Sequence, residues 1–264
     1  MIAVNIAPLA WEWSADTAPF PHAVIENFFH PSIARQIAAE FPAFDSDAWH
    51  EYANALEVKR TCNNRERFGP VTKQAFEWLN SAGFAELLRL SIGAEYPLYC
   101  DPDLHGGGLH YHGPGGKLNV HLDYSLHPRL GLARKLNLLV YVNPNWRDEW
   151  GGGLGLYEAG TDGPGPLAKS IEPRFNRAVL FQTTNAWHGL PEPIACPEGQ
   201  ARQSLAVYYL TDPTHALDSR SRALFAPAPE QQGDPEVIDL IARRANEATA
   251  ASVHRTPART ASSA

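Results

Sequence analysis

Sulfur is scarce in this chain, and so is positive charge. Three cysteines, Cys62, Cys100 and Cys196, are spread over 264 residues without a C-x-x-C pair. That is too few and too scattered for a disulfide framework, so they are expected to be reduced, with small core or loop roles. Lysine and arginine total 22 against 29 acidic residues, a formal net charge of −7, which gives no general attraction to nucleic acid or to an anionic membrane. No run of about 18 apolar residues occurs, and the opening "MIAVNIAPLAWEWSADTAPFP" lacks a basic segment followed by a long apolar one. A cytoplasmic protein with no membrane or nucleic-acid partner is the expectation. Charged residues are 19% and hydrophobic ones 44%, a globular balance that supplies enough apolar surface for a core.

Two textures divide the chain. Over the first hundred residues helical spacing dominates: after "FPHAVIENFF", a predicted strand, Pro31 suits a first helical turn, and Ile33, Ile37 and Phe41 repeat at helical intervals. A second helix is predicted from Pro70 to Ala82, followed after Gly83 by "FAELLRLSI". Between them, "DAWHEYANALEVKRTCNNRERFG" has no clean period and reads as an irregular segment able to close over a pocket as a lid. Its Arg60, Arg65 and Arg67 read first as a solvated basic loop, with an anionic substrate as the second reading. From residue 105 onward, "GLHYH", "KLNVHL", "KLNLLVYVN", "GLGLY", "AKSIEP", "RAVLFQT", "AWHGLP" and "RQSLAVYYL" read as short strands separated by Gly- and Pro-rich turns. The expected fold is mainly β with flanking N-terminal helices, a sandwich or barrel in one domain over residues 1–225: helical support to residue 100 and a β core over 101–213. Residues 226–264 are expected to add a C-terminal helix, "DPEVIDLIARRANEATA", and an unstructured tail, "ASVHRTPARTASSA".

"KLNVHLDYSLHP" places His121 and Asp123 two apart in a strand-like run, and so on one face. With 11 His and 12 Asp, chance alone supplies roughly 0.5 such pairs, so the motif needs company. His188, after an apolar strand, can supply a third ligand. Two histidines and one carboxylate on one face of a metal leave the opposite positions open, the arrangement of non-haem Fe(II) oxygenases. Further on, Arg202 and Ser204 share a strand face, where a planar guanidinium beside a hydroxyl suits a fixed carboxylate. Taken singly, His188 reads equally as a turn histidine and Arg202 as half of a surface ion pair. Their order is what gives the set its weight.

The sequence His-x-Asp, distal His, then Arg-x-Ser resembles the 2-oxoglutarate and Fe(II)-dependent oxygenase superfamily from about residue 20 to 213. "LNVHLDYSLHP", "RKLNLLVYVNPNW" and "WGGGLGLYE" fall in the order seen in its prolyl-hydroxylase-like bacterial branch. The resemblance implies a double-stranded β-helix (a jelly-roll, cupin-like barrel), iron on His121, Asp123 and His188, and 2-oxoglutarate on Arg202 and Ser204. A tyrosine that often precedes the His-x-Asp motif and contacts 2-oxoglutarate matches Tyr111, with His112 at nearly the same spacing. The implied activity is hydroxylation of a small molecule, sugar or peptide side chain with O2, yielding succinate and CO2, with ascorbate as a stimulant. Members that halogenate replace the carboxylate with a small residue, whereas this chain keeps Asp123. Two rivals stand beside this reading: a cupin-type metal enzyme using His110 and His112, and a β-barrel binding module without turnover. Zinc hydrolysis would accept the same ligands but leaves Arg202 and Ser204 unexplained, and "WGGGLGLYE" lacks the Gly-Lys-Ser/Thr ending of a phosphate loop.

Overall fold

A computed structural model of the protein describes residues 2–14, 17–214 and 219–255. A single-turn helix α1 (Leu9–Glu12) and strand β1 (His22–Ile25) lead into α2 (Pro31–Ala39). A hairpin of β2 (His50–Ala53) and β3 (Glu57–Cys62) precedes α3 (Pro70–Leu79) and α4 (Ala82–Ser91). The β-rich part runs through β4 (Tyr99–Cys100), β5 (Gly108–His112), β6 (Lys117–Leu118), β7 (His121–Leu122) and β8 (Ala133–Tyr141). It continues with β9 (Leu154–Ala159), β10 (Pro164–Ile171), β11 (Ala178–Gln182), β12 (His188–Gly189), β13 (Arg202–Thr211) and β14 (Leu224–Phe225). Helix α5 (Pro235–Ala245) and a 3-10 turn (Ala250–Val253) follow.

These strands form two facing sheets, the double-stranded β-helix. The larger has the order β1-β11-β8-β13-β5-β3-β2, with β4 against β13 and β6 against β3; the smaller runs β10-β9-β12-β7-β14. All their pairings are antiparallel. Strand β13 shows why the centre of the larger sheet is largely apolar on both faces. Its Leu205, Val207 and Tyr209 pack outward with Phe76, Leu79 and Phe84 of the helices, while Ala206 packs inward with Leu139, Tyr141 and Leu156. Such two-sided burial erases the polar alternation that usually marks a strand. The Tyr209 hydroxyl donates to the Leu79 carbonyl at 2.7 Å and so fastens the helical layer to the sheet.

Local capping sets the helix boundaries. The Glu40 carboxylate accepts from the Val71 and Thr72 amides at 3.0 and 2.7 Å and caps α3, whose first residue is Pro70. The helix predicted to reach Ala82 ends earlier, because the Ser81 hydroxyl accepts from the Phe84 amide at 3.1 Å and begins α4 there. A serine that opens the next helix therefore outweighs continuity of the apolar stripe.

Two further expectations are corrected. The segment expected to be an irregular lid is the β2–β3 hairpin, paired through β3 to β5. Asn54 forms its turn, its side-chain oxygen accepting from the Leu56 and Glu57 amides. Both hairpin faces carry polar residues, so no apolar alternation announced it. At the other end, part of the expected tail is packed: Val253 is fully buried with Leu56, Phe225, Val237 and Leu240, and His254 bonds to His50. The rest of that expected tail, 256–264, lies outside the described residues. Helix α5 falls where expected, but Arg244 on it reaches inside the barrel, so the C-terminal segment is integral to the core. Among the described residues, no helix is long and apolar enough to cross a membrane.

Candidate metal centre

His121 and His188 are direct cross-strand partners on β7 and β12 in the smaller sheet. Their rings lie 4.4 Å apart, centroid to centroid. Gly189 makes this approach possible, because a Cβ there would sit 2.9 Å from the Leu118 carbonyl oxygen and from the Val120 backbone. Asp123 follows β7, its oxygens 3.8 Å from His121 Nε2 and 3.9 Å from His188 Nε2. The three residues are buried and offer ligand atoms within 4.8 Å of one another.

Hydrogen bonds at the far side of each ring decide what this cluster can do. His121 Nδ1 lies 3.0 Å from the Asn119 carbonyl, and His188 Nδ1 lies 2.9 Å from the Ala186 carbonyl. A carbonyl only accepts, so each Nδ1 carries the proton and each Nε2 turns a lone pair toward Asp123. Burial, reinforced by the neighbouring His188, holds His121 down to about 3, so its ring is neutral at physiological pH. Burial pushes Asp123 upward, but Arg134, with the two histidines, overrides it and holds the carboxyl at about 2. Arg134 Nη1 lies 3.1 Å from Asp123 Oδ1, and its guanidinium is stacked between the Tyr124 and Tyr208 rings at 3.3 and 3.4 Å. Asp123 Oδ2 is buried without any hydrogen-bond partner. Two inward lone pairs and an unsatisfied carboxylate oxygen are a donor set for a divalent cation.

Beside this cluster is a cavity of ≈ 270 Å³. Arg202 lines it, 4% exposed, with its Nε donating to the Gly152 carbonyl at 2.7 Å and its Nη2 to the Tyr141 hydroxyl at 3.2 Å. Both acceptors are neutral, and among the described residues no carboxylate pairs with this guanidinium. A buried, uncompensated charge is costly, and an incoming carboxylate would compensate it. Ser204, one strand pleat away, has a buried hydroxyl without a partner, as have Asn137 Oδ1 and both ring nitrogens of His112. Three side chains thus have unmet polar atoms beside the uncompensated Arg202 in one cavity, a fit for a small dicarboxylate.

Tyr111 is corrected. In the pairing of β5 with β13, Arg202 faces His112, Gln203 faces Tyr111 and Ser204 faces His110, so the histidines share the inner face and Tyr111 is on the outer one. The Tyr111 ring packs on Phe44 and Trp49 instead. His112 lines the cavity, as does His110, but among the described residues neither belongs to a group with metal-ligand spacing, which removes the cupin-type reading. The arginines considered for an anionic substrate do not line the cavity: Arg60 pairs with Glu51 at 2.7 Å and Arg67 with Asp47 at 2.9 Å. Sequence reasoning missed Arg134, Asn137 and Lys59. The alternation Asn137, Leu139, Tyr141 in "KLNLLVYVN" carries a signal for Asn137; nothing local marks Arg134, which meets Asp123 only through the fold.

Comparison with known proteins agrees with this geometry. Residues 107–210 match the family model described as the 2OG-Fe(II) oxygenase superfamily, a span that holds all three clustered ligands, Arg202 and Ser204. Over those residues the chain is similar to the 2OG-Fe(II) oxygenase superfamily. It is 25% identical over 223 residues to prolyl 3-hydroxylase OGFOD1 of Xenopus laevis, covering 77% of this chain and 38% of that protein, so it spans well under half of this curated relative. Among solved structures, a prolyl-4-hydroxylase from Pseudomonas putida aligns with TM-score 0.53 and 19% identity over 80% of this chain and 100% of that one. An oxidoreductase of the 2OG-Fe(II) oxygenase family from Burkholderia pseudomallei aligns with TM-score 0.50 and 12% identity, over 78% of this chain and 90% of that one. These likenesses bear on the fold alone, a double-stranded β-helix.

Proposed function

We propose that this chain is an Fe(II)- and 2-oxoglutarate-dependent dioxygenase that hydroxylates a small molecule, sugar or peptide side chain, releasing succinate and CO2. His121, Asp123 and His188 would hold the iron, while Arg202 and Ser204 would hold the distal carboxylate of 2-oxoglutarate. The observation that carries this reading is the pairing of two unmet needs in one cavity: a buried carboxylate oxygen facing two imidazole lone pairs, and a buried guanidinium without a counter-charge. When bound, the iron and 2-oxoglutarate supply the oxidising chemistry with O2.

The protein's own contribution is orientation and dryness. The carbonyls of Asn119 and Ala186 fix the two imidazole tautomers, and Arg134 keeps Asp123 ionised and turned toward the centre. Phe225 stacks on His121 and Phe181 packs edge-on against His188, so apolar rings cover the two imidazoles away from the cavity. Tyr141 and the Gly152 carbonyl hold the Arg202 fork open for a carboxylate. Because OGFOD1 and the Pseudomonas putida protein are prolyl hydroxylases by name, prolyl peptides are the first substrates to test. Three free cysteines suit the reducing cytoplasm, where ascorbate would stimulate turnover.

The test is anaerobic addition of Fe(II) and then 2-oxoglutarate to the apo-protein, watched for the weak visible charge-transfer band of the chelate, followed by O2 and a succinate assay. A band that depends on His188 and succinate that depends on O2 support the assignment; absence of both sinks it.

A further inference from the structure

The whole chain is acidic, yet its cavity is basic. Five cationic side chains line it: Lys59, Arg134, Arg202, Arg222 and Arg244. Against them stand two carboxylates, Asp123 in the lining and the fully buried Glu57 behind it. Three positive charges are left over. The surplus persists when the site is loaded, because the two charges of a ferrous ion and the two of 2-oxoglutarate cancel.

The unmet charge is localised. Arg134 is engaged with Asp123 at 3.1 Å. Glu57 is shared between two cations, Arg244 Nε at 2.7 Å and Lys59 Nζ at 3.0 Å, and its oxygen nearest Lys59 has no hydrogen-bond partner. Lys59 and Arg244 thus share a single carboxylate, which compensates only one of their two charges. Arg222 is half-buried, its Nε is enclosed without a partner, and among the described residues no carboxylate pairs with it. Its position is fixed by its neighbour Arg220, which donates to the Asp123 carbonyl at 3.0 Å and to the Ser125 hydroxyl at 2.9 Å. The segment that carries Arg222 is therefore tied to the backbone of a proposed metal ligand. Arg202 belongs to another corner, with Tyr141 and Gly152, and shares no hydrogen-bond partner with Lys59 or Arg222.

Resting on the dioxygenase reading, we propose that Lys59 and Arg222 form a substrate subsite for an anionic group, a carboxylate or a phosphate ester, next to the carbon that is oxidised. A paired ammonium and guanidinium give such a group charge-assisted hydrogen bonds inside a low-dielectric cavity. They also disfavour neutral analogues, which leave two donors unmet.

Calorimetric titration of the anaerobic Fe(II)- and 2-oxoglutarate-loaded protein tests this, using inorganic phosphate, N-acetylproline and N-acetylprolinamide as probes. Binding of phosphate or of N-acetylproline, at least tenfold tighter than the neutral amide, is expected, and which anion binds tighter tells phosphate from carboxylate. Arg222→Gln should weaken that anion at least tenfold and leave 2-oxoglutarate affinity within twofold; Lys59→Gln should weaken it in the same way. Three results would each overturn the subsite: neither anion binds, the amide binds as well as the acid, or Arg222→Gln weakens 2-oxoglutarate instead. Failure of 2-oxoglutarate itself to bind the unmutated protein would mark failure of the dioxygenase reading, a separate outcome read before any probe is added.

Discussion

Two clusters in this molecule contain the same kinds of residue and do opposite things. His121, Asp123 and His188 form one; Asp101, Asp103 and His127 form the other, and both have metal-ligand spacing. In the first, each Nδ1 donates to a backbone carbonyl, leaving Nε2 as an acceptor that faces a carboxylate. In the second the backbone presents amides: His127 Nδ1 accepts from the Arg129 and Leu130 N–H groups at 3.2 and 3.1 Å. Its proton must then sit on Nε2, which faces Asp101 Oδ1 at 3.4 Å. The first cluster turns two lone pairs and a carboxylate on one another, whereas in the second the Nε2 edge of His127 faces Asp101 Oδ1 at 3.4 Å without a formed hydrogen bond, so donor and acceptor are at least matched. Asp101 is also occupied on its other side, accepting from the Asp103 and His105 amides. What separates the proposed metal centre from the proposed brace is the backbone group behind the ring.

The sharpest way to break this contrast is a pair of substitutions. His188→Ala should abolish tight Fe(II) binding and lower 2-oxoglutarate-dependent turnover by at least ~10³-fold with the fold retained, since a cavity near the surface of a metal site replaces one ligand. His127→Ala should leave metal stoichiometry unchanged and cost about 2–4 kcal/mol of stability, because two amides and a buried carboxylate lose their partner. Metal titration and denaturant unfolding of the two proteins read both effects. An exchange of phenotypes would show that the tautomer assignment is wrong.

Next in size is Arg202→Ala. Loss of a buried charge that meets a carboxylate costs on the order of 2–5 kcal/mol, so the KM for 2-oxoglutarate should rise about 10²-fold or more. Metal affinity, measured without 2-oxoglutarate, should be unchanged. Collapse of metal binding would mean that Arg202 supports the first cluster and not the co-substrate.

The contrast also explains what could be read from the residues. That His121, Asp123 and His188 cluster was legible because strand geometry puts i and i+2 on one face and because His188 and Arg202 follow in order. Eight strands were visible as short apolar runs between Gly- and Pro-rich turns. The β2–β3 hairpin was not, because its inner face carries Lys59 and Thr61 toward the cavity and looks like a loop in composition. Tyr111 comes from the resemblance, by its spacing before the His-x-Asp motif, but register with β13 decides which face it presents, and register is not in the local sequence. Arg134, Lys59 and Arg222 act across sequence gaps that only the closed barrel bridges.

Acid should expose the neutral histidines. Burial is the main reason that His105 and His254 are held down to about 4 and His110 to about 3. In the unfolded chain each titrates near its ordinary value of about 6.5. Below that pH the unfolded state binds more protons, so stability must fall as pH drops from 6.5 toward 4. The apo-protein's Tm should decrease by several degrees between pH 7 and 5, and a flat profile would show that these rings are solvated.

The smallest effect separates binding from stability within one side chain. Ser204 is fully buried and its hydroxyl has no partner, so the free protein bears the cost of desolvating it without a return. Ser204→Ala removes that group with little change in shape. If the hydroxyl exists to meet 2-oxoglutarate, the variant should be as stable as the parent or more so, by up to about 1 kcal/mol, while its affinity for 2-oxoglutarate falls roughly five- to tenfold. Brace residues such as His127 behave the other way, losing stability and leaving affinity alone. Should Ser204→Ala destabilise the fold without touching co-substrate affinity, Ser204 belongs with the braces, and the carboxylate site reduces to Arg202.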